Sequence, residues 1–172
     1  MKNLLRCLPF LFLHFYMYAQ QPPGNRGMYF DGVDDHVSIN TPNILPDVNG
    51  NFTIEAWVKI YEPISSGKIL PILDKNNGVG GYSFYIRENS GSAQLVLWMN
   101  NGTGSSFSNF ILMGELADKK WHHVAVTRAG VGGPINFYLD GANRGNIPTN
   151  NTNILTVTTT AYIGKRGINF FK

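Results

Sequence analysis

Short stretches in which every second residue is apolar, each closed by glycine, asparagine, aspartate or proline, constrain the fold of this chain more than any other feature. In FTIEAWVKI (52–60), Phe52, Ile54, Ala56, Val58 and Ile60 fall on one face and Thr53, Glu55, Trp57 and Lys59 on the other. Successive side chains of a strand point to opposite faces, so this period of two predicts a half-buried strand. GGYSFYIREN sets Tyr82, Phe84 and Ile86 against Ser83, Tyr85 and Arg87, and AQLVLWMNNG sets Leu95, Leu97 and Met99 against Gln94, Val96, Trp98 and Asn100. NSGS (89–92), lying between them, predicts a hairpin turn. KILPILDK (68–75) is an edge or interrupted strand, because Pro71 has no N–H to give a ladder. WHHVAVTR and INFYLDG follow, joined by AGVGGP (129–134), and the second turns at Asp140-Gly141, a strong hairpin signal. TAYIGKRG (160–167) supplies a final short strand, and only 112–119 could form a helical turn, too brief to anchor a layer. The expected fold class is all-β, two antiparallel sheets packed face to face as a sandwich.

The N-terminus has a different character. Lys2 and Arg6 precede an apolar run from Leu8 to Tyr18 that ends at Ala19, the layout of a secretory signal peptide. The run is too short for a membrane span, which needs about 20 residues. Three segments are expected: a signal peptide at 1–19, a short Gln/Pro/Gly/Asn linker at 20–27, and one domain over 28–172. Cleavage after Ala19 removes Cys7, the only cysteine, so neither disulfides nor thiol chemistry remain and stability rests on apolar burial. No basic cluster survives that could track a phosphate backbone, which argues against nucleic acid as a partner.

WHHVAVTRAG (121–130) raises the question of a metal. On a strand, His122 and His123 point to opposite faces and cannot grip one ion. Zinc in a structural site takes four nitrogen or sulfur ligands, and a mature chain with three histidines and no cysteine is a poor source of them. A packing or hydrogen-bonding role is expected for His123.

Six segments taken together, YFDGVDDHVSI, FTIEAWVKI, ILDKNNGVGGYSFYI, WHHVAVTRAG, INFYLDGANRGN and YIGKRG, resemble the laminin-G-like (LamG) jelly roll of the concanavalin A-like lectin and glucanase superfamily. The resemblance covers Met28 to about Gly167 and implies a two-sheet jelly roll serving as a secreted or cell-surface recognition module for glycans or extracellular proteins. It also implies that Trp121, His123, Val124 and Ala125 sit on a sandwich strand. Members of the family normally continue past this point through a further strand, so the resemblance implies a domain incomplete at its C-terminus, with MYFDG left at an open sheet edge and a missing segment or another domain as partner.

The superfamily's glucanases use two carboxylates on alternate positions of one strand, and no Glu-x-Asp, Glu-x-Glu or Asp-x-Glu occurs in this sequence. Gly-x-Ser-x-Gly is absent too, and the Gly-rich stretches at 78–81 and 130–133 are not followed by predicted helices that could cradle phosphate. Sugars need an exposed aromatic platform flanked by planar hydrogen-bonding groups. Alternation puts Trp57, Tyr85, Trp98 and Tyr138 opposite the most apolar faces, accompanied by Glu55, Arg87, Asn100 and Asn136. The carbohydrate-binding candidates are therefore Trp57, Tyr85, Trp98, Tyr138, Arg87 and Asn100, provided their strands are neighbours in one sheet. No cofactor is required. Calcium is the ion the resemblance implies, and DGVDDH (Asp31, Asp34, Asp35) and LDKNN (Asp74, Asn76, Asn77) offer oxygens, although tight turns demand the same residue types. The expected function is noncatalytic glycan recognition, with a glycoside hydrolase component and a protein-binding scaffold module as open alternatives.

Overall fold

The computed structural model describes residues 27–40, 45, 49–90, 92–103, 106–114, 116–148 and 153–172. Residues 1–19, expected to be a signal peptide, and nearly all of the expected linker lie outside them. Twelve strands follow one another: β1 (Val37–Ile39), β2 (Asn51–Lys59), β3 (Ile69–Asn76), β4 (Gly80–Asn89), β5 (Ser92–Asn101), β6 (Ser106–Gly114), β7 (Trp121–Ala129), β8 (Ile135–Leu139), β9 (Ala142–Ile147), β10 (Ala161–Ile163), β11 (Lys165–Arg166) and β12 (Asn169–Phe170). They form a six-stranded sheet in the order β1-β10-β3-β4-β5-β6, a four-stranded sheet β2-β7-β8-β9, and a two-stranded ribbon β11-β12. Every pairing among the described residues is antiparallel. The described residues contain no helix: 112–114 close β6 and 116–119 are non-helical.

The core lies between the two large sheets and follows the alternation. Tyr82, Phe84, Ile86, Leu95, Leu97 and Met99 face it from β4 and β5, and Val58, Val124, Val126, Phe137 and Leu139 from the four-stranded sheet. Phe84, Leu97, Val126 and Phe137 are fully buried. Burying one such side chain stabilises by about 1.5–3 kcal/mol, which makes this seam the principal bond between the layers.

Pro71 interrupts β3 without making it an edge. β3 lies between β10 and β4, with a bulge between Pro71 and Leu73. β10 pairs only with Leu73 and Asp74, so Pro71 sits beyond its reach and its missing N–H breaks no ladder there. The bulge also absorbs one residue, so that both Ile72 and Leu73 pack on the core while Asp74 turns to the outer face.

Two further expectations change. MYFDG is not a strand: 28–32 is irregular, and Phe30 packs edge-on against Phe171 with ring centroids 6.3 Å apart. YIGKRG is two strands, since Gly164 at φ +82 breaks it and sends β10 to the six-stranded sheet and β11 to the ribbon. A side chain at 164 would lie 2.7 Å from the Phe30 ring, so both the turn and the packing require glycine.

Candidate functional site

The structure divides the six candidate residues between two outer faces. Tyr85, Arg87, Trp98 and Asn100 lie on β4 and β5 of the six-stranded sheet, and Trp57 and Tyr138 on β2 and β8 of the four-stranded sheet. Alternation reports which face of a strand a residue takes, and says nothing about which sheet the strand joins.

On the six-stranded sheet the candidates are engaged within the chain. The Arg166 guanidinium stacks 4.9 Å from the Tyr85 ring centre and 5.3 Å from that of Trp98, a cation–π contact with both. Arg166 Nε donates to Ser83 Oγ at 3.1 Å and lies 3.7 Å from Asp74 Oδ1, while the Ser83 hydroxyl donates to the same carboxylate. Burial pushes the Asp74 carboxyl above its usual range, outweighing the hydrogen bonds from Ser83 and Asn76 and the charge of Arg166. Tyr85 and Asn100 are buried, and Asn100 donates to the Gly78 carbonyl and accepts from the Gly102 N–H. Arg87 Nε donates to Gln94 Oε1 at 2.8 Å. These contacts hold turns and neighbouring strands together.

The four-stranded sheet offers a more open arrangement. In register, Trp57 pairs with His123, Glu55 with Ala125, and Ala125 with Tyr138. β7 thus runs between the two aromatics, whose backbones lie roughly 10 Å apart across it. Between them β7 presents His123, beside Trp57, and the buried Ala125, beside Tyr138. Trp57 and Tyr138 are half-buried walls, and the Trp57 ring is tilted 55° against His123 at 5.4 Å. Polar groups share this face: Glu55 Oε2 lies 3.3 Å from His123 Nε2, and Asn136 Nδ2 donates to Thr127 Oγ1 at 3.5 Å. An aromatic wall on each side with carboxylate, imidazole, amide and hydroxyl along the rim can stack a ring and bond its hydroxyls. Glu55 and Asn136 were legible as companions of the aromatics. Ala125 and the Glu55–His123 contact were not, since both depend on the pairing of β2 with β7.

His122 faces the opposite side of β7 from His123. Its Nδ1 meets Asp140 Oδ2 at 2.8 Å and its Nε2 meets Asp118 Oδ1 at 2.9 Å. Burial opposes charge on the ring, yet hydrogen bonds to Asp140 and Asp118 and their charges prevail and raise its pKa. The hydrogen bond from His122 holds the Asp118 carboxyl well below the usual carboxylate range.

Of the calcium candidates, the carboxylate oxygens of Asp31, Asp34 and Asp35 lie within 4.8 Å of one another and all three residues are exposed. Asp31 Oδ1 accepts the Val33 N–H at 2.7 Å and Asp35 Oδ2 the Asp31 N–H at 3.1 Å, the local bonds of a turn. In LDKNN, Asn76 and Asn77 accept the N–H groups of Gly78, Val79 and Gly80, and Asp74 is turned to Ser83 and Arg166.

Comparison with known proteins places this architecture. The non-toxic nonhemagglutinin of Paraclostridium bifermentans is 22% identical over 116 residues, which are 67% of this chain and 9% of that protein. Among solved structures, the binding domain of Paraclostridial Mosquitocidal Protein 1 superposes with a TM-score of 0.56 at 14% identity, over 70% of this chain and 31% of that one. A structure of botulinum neurotoxin type C, whose cell entry is described as dependent on two ganglioside molecules, superposes with a TM-score of 0.54 at 21% identity, over 73% of this chain and 28% of that one. The chain thus spans a tenth to a third of the length of these relatives. At such identities the superpositions speak for the fold. A laminin G family model covers residues 31–172, nearly the whole described chain, and with the two-sheet antiparallel sandwich it shows that the chain belongs to the concanavalin A-like lectin/glucanases superfamily.

Proposed function

We propose that this domain is a noncatalytic glycan-recognition module, exported or displayed at the cell surface, whose saccharide rests on the outer face of the four-stranded sheet. The observation that carries the reading is the pair of half-buried aromatics, Trp57 and Tyr138, on either side of β7, with Glu55, His123, Thr127 and Asn136 on the same outer face. The N-terminal layout of 1–19 supports export, and the ganglioside dependence described for a structural relative supports a sugar-bearing ligand. Glycoside hydrolysis calls for two carboxylates facing each other across the sugar. On this face Glu55 meets an imidazole, and Asp118 and Asp140 are committed to His122.

Glycan-array retention followed by calorimetry on the best ligand tests the site. Each aromatic wall contributes about 0.5–1.5 kcal/mol beyond the area it covers, so Trp57→Ala and Tyr138→Ala each weaken binding roughly threefold to tenfold or more. Ala125→Leu enlarges a buried position beside Tyr138, displaces the aromatic side chains over β7 and weakens retention, while the circular dichroism spectrum still reports a folded sandwich. Undiminished binding by all three folded variants would remove this reading.

A further inference from the structure

The outer face of the four-stranded sheet continues past Tyr138 onto β9, and a bulge decides which side chain meets the ring. Asn136 pairs with Asn146 and Phe137 with Gly145, so uninterrupted pairing would next set Arg144 opposite Tyr138. The register shifts instead between Phe137 and Tyr138, with Gly145 at φ +152, and Asn143 takes that place. Bulges re-aim side chains in this way. A guanidinium stacks on aromatic rings where the fold brings the two together, as Arg166 does on Tyr85 and Trp98. Among the described residues no cation lies over the Tyr138 ring. Residues directly opposite across an antiparallel pair share a face, so the amides of Asn136, Asn143 and Asn146 flank Tyr138, their backbones about 5–8 Å from its own. They differ in what they offer. Asn143 Oδ1 accepts the Gly145 N–H at 2.9 Å, which keeps its NH2 as a donor. Asn136 Nδ2 donates to Thr127 Oγ1, which keeps its carbonyl as an acceptor, and Asn146 is exposed with both groups.

We propose that this face selects a neutral, hydroxyl-rich glycan, one ring of which stacks on Tyr138 while Asn136, Asn143 and Asn146 bond its hydroxyls, so that the three amides determine specificity. The inference rests on the glycan reading of this face and adds the class of sugar. A hydroxyl both donates and accepts, and it matches an uncharged set of groups that does the same. A sulfate or an ionised carboxylate only accepts, and is held best by cations or by donors alone. An ammonium only donates, and is held best by carboxylates. The carboxylate on this face, Glu55, stands in line with Tyr138 across Ala125. It repels an anionic substituent, and His123 at 3.3 Å already engages it against a cationic one. Arg144, the residue that the register shift passes over, has no opposite number on β8 and is exposed, so its charge can be tested separately from the amides.

Calorimetry on neutral oligosaccharides, and on the same backbones carrying uronate carboxylates or sulfate esters, tests it. The whole chain binds the neutral oligosaccharides and binds their charged counterparts roughly tenfold more weakly. Asn146→Ala weakens neutral binding roughly threefold to tenfold, and so does Asn143→Ser, which keeps an oxygen able to accept the Gly145 N–H. A ligand lacking one ring hydroxyl loses affinity for the wild type but loses nothing further for the variant whose amide bonded that hydroxyl, a coupling that a purely structural role does not produce. Arg144→Gln leaves neutral binding unchanged. Preference for the carboxylated or sulfated backbones, or loss of neutral binding in Arg144→Gln, overturns the neutral class. Asn146→Ala and Asn143→Ser that bind as the wild type does, while Trp57→Ala and Tyr138→Ala do not, overturn the role of the amides and leave the glycan reading standing. A folded wild type that binds neither kind of oligosaccharide overturns both.

Discussion

His122 is held between two carboxylates. Both ring nitrogens face carboxylates, Lys120 Nζ lies 3.1 Å from Asp118, and the second Asp140 oxygen accepts the His123 N–H at 2.8 Å. The signs follow from the directions of the shifts. The raised His122 pKa contributes stability that is full below the ordinary histidine value of about 6.5 and is lost as pH rises through the raised value. The lowered Asp118 pKa contributes stability that is full above the ordinary value of about 4 and is lost as pH falls toward the lowered one. The difference in melting temperature between wild type and His122→Gln is therefore widest between about pH 4 and 6.5 and narrows on either side. A difference that stays constant from pH 4 to 9 would show that the ring acts by shape alone. The sequence separates His122 from His123 correctly, because strand alternation is local. It conceals both aspartates, one in the connection before β7 and the other in the β8–β9 turn, because bringing them to the ring is the work of sheet pairing.

At the scale of elements, the β11–β12 ribbon is where sequence reading fell shortest. Each of its strands is two residues long, too short for alternation to register, and it is separated from β10 only by Gly164. Its structural effect is out of proportion to its length, since it delivers Arg166 onto Tyr85, Trp98, Ser83 and Asp74. The longer strands were legible because each exposes one face to the core: β2, β4, β5, β7 and β8 all lie where the alternation puts them. Their partners were not legible, which is why six candidate residues assigned to one groove occupy two faces. Replacing Arg166 by Ala removes a cation from a buried carboxylate and uncovers two aromatic rings, at a cost of about 1–3 kcal/mol. Urea unfolding should show the lower midpoint, and Asp74→Asn in the same chain should recover part of the loss by removing the charge left unpaired. If the double variant is as unstable as the single one, the guanidinium acts through packing on Tyr85 and Trp98 alone.

The whole molecule is two layers joined by apolar side chains, and its three tryptophans are distributed so that this union can be measured. Trp57 and Trp121 belong to the four-stranded sheet and Trp98 to the six-stranded one. If the seam is the principal bond, neither sheet keeps its structure when the other is lost, and both report one transition. Phe137 is fully buried on β8 among the core residues of both layers, so Phe137→Ala opens a cavity at the seam and costs about 3–5 kcal/mol. Unfolding followed in variants that keep only Trp98, or only Trp57 and Trp121, should therefore give coincident midpoints. Phe137→Ala should lower all of them equally, although the substitution lies in one sheet. Separate midpoints, with Trp98 unmoved by Phe137→Ala, would mean that the six-stranded sheet draws its stability from its own ladder and from the Arg166 cover. In that case the apolar seam would join two layers that fold independently.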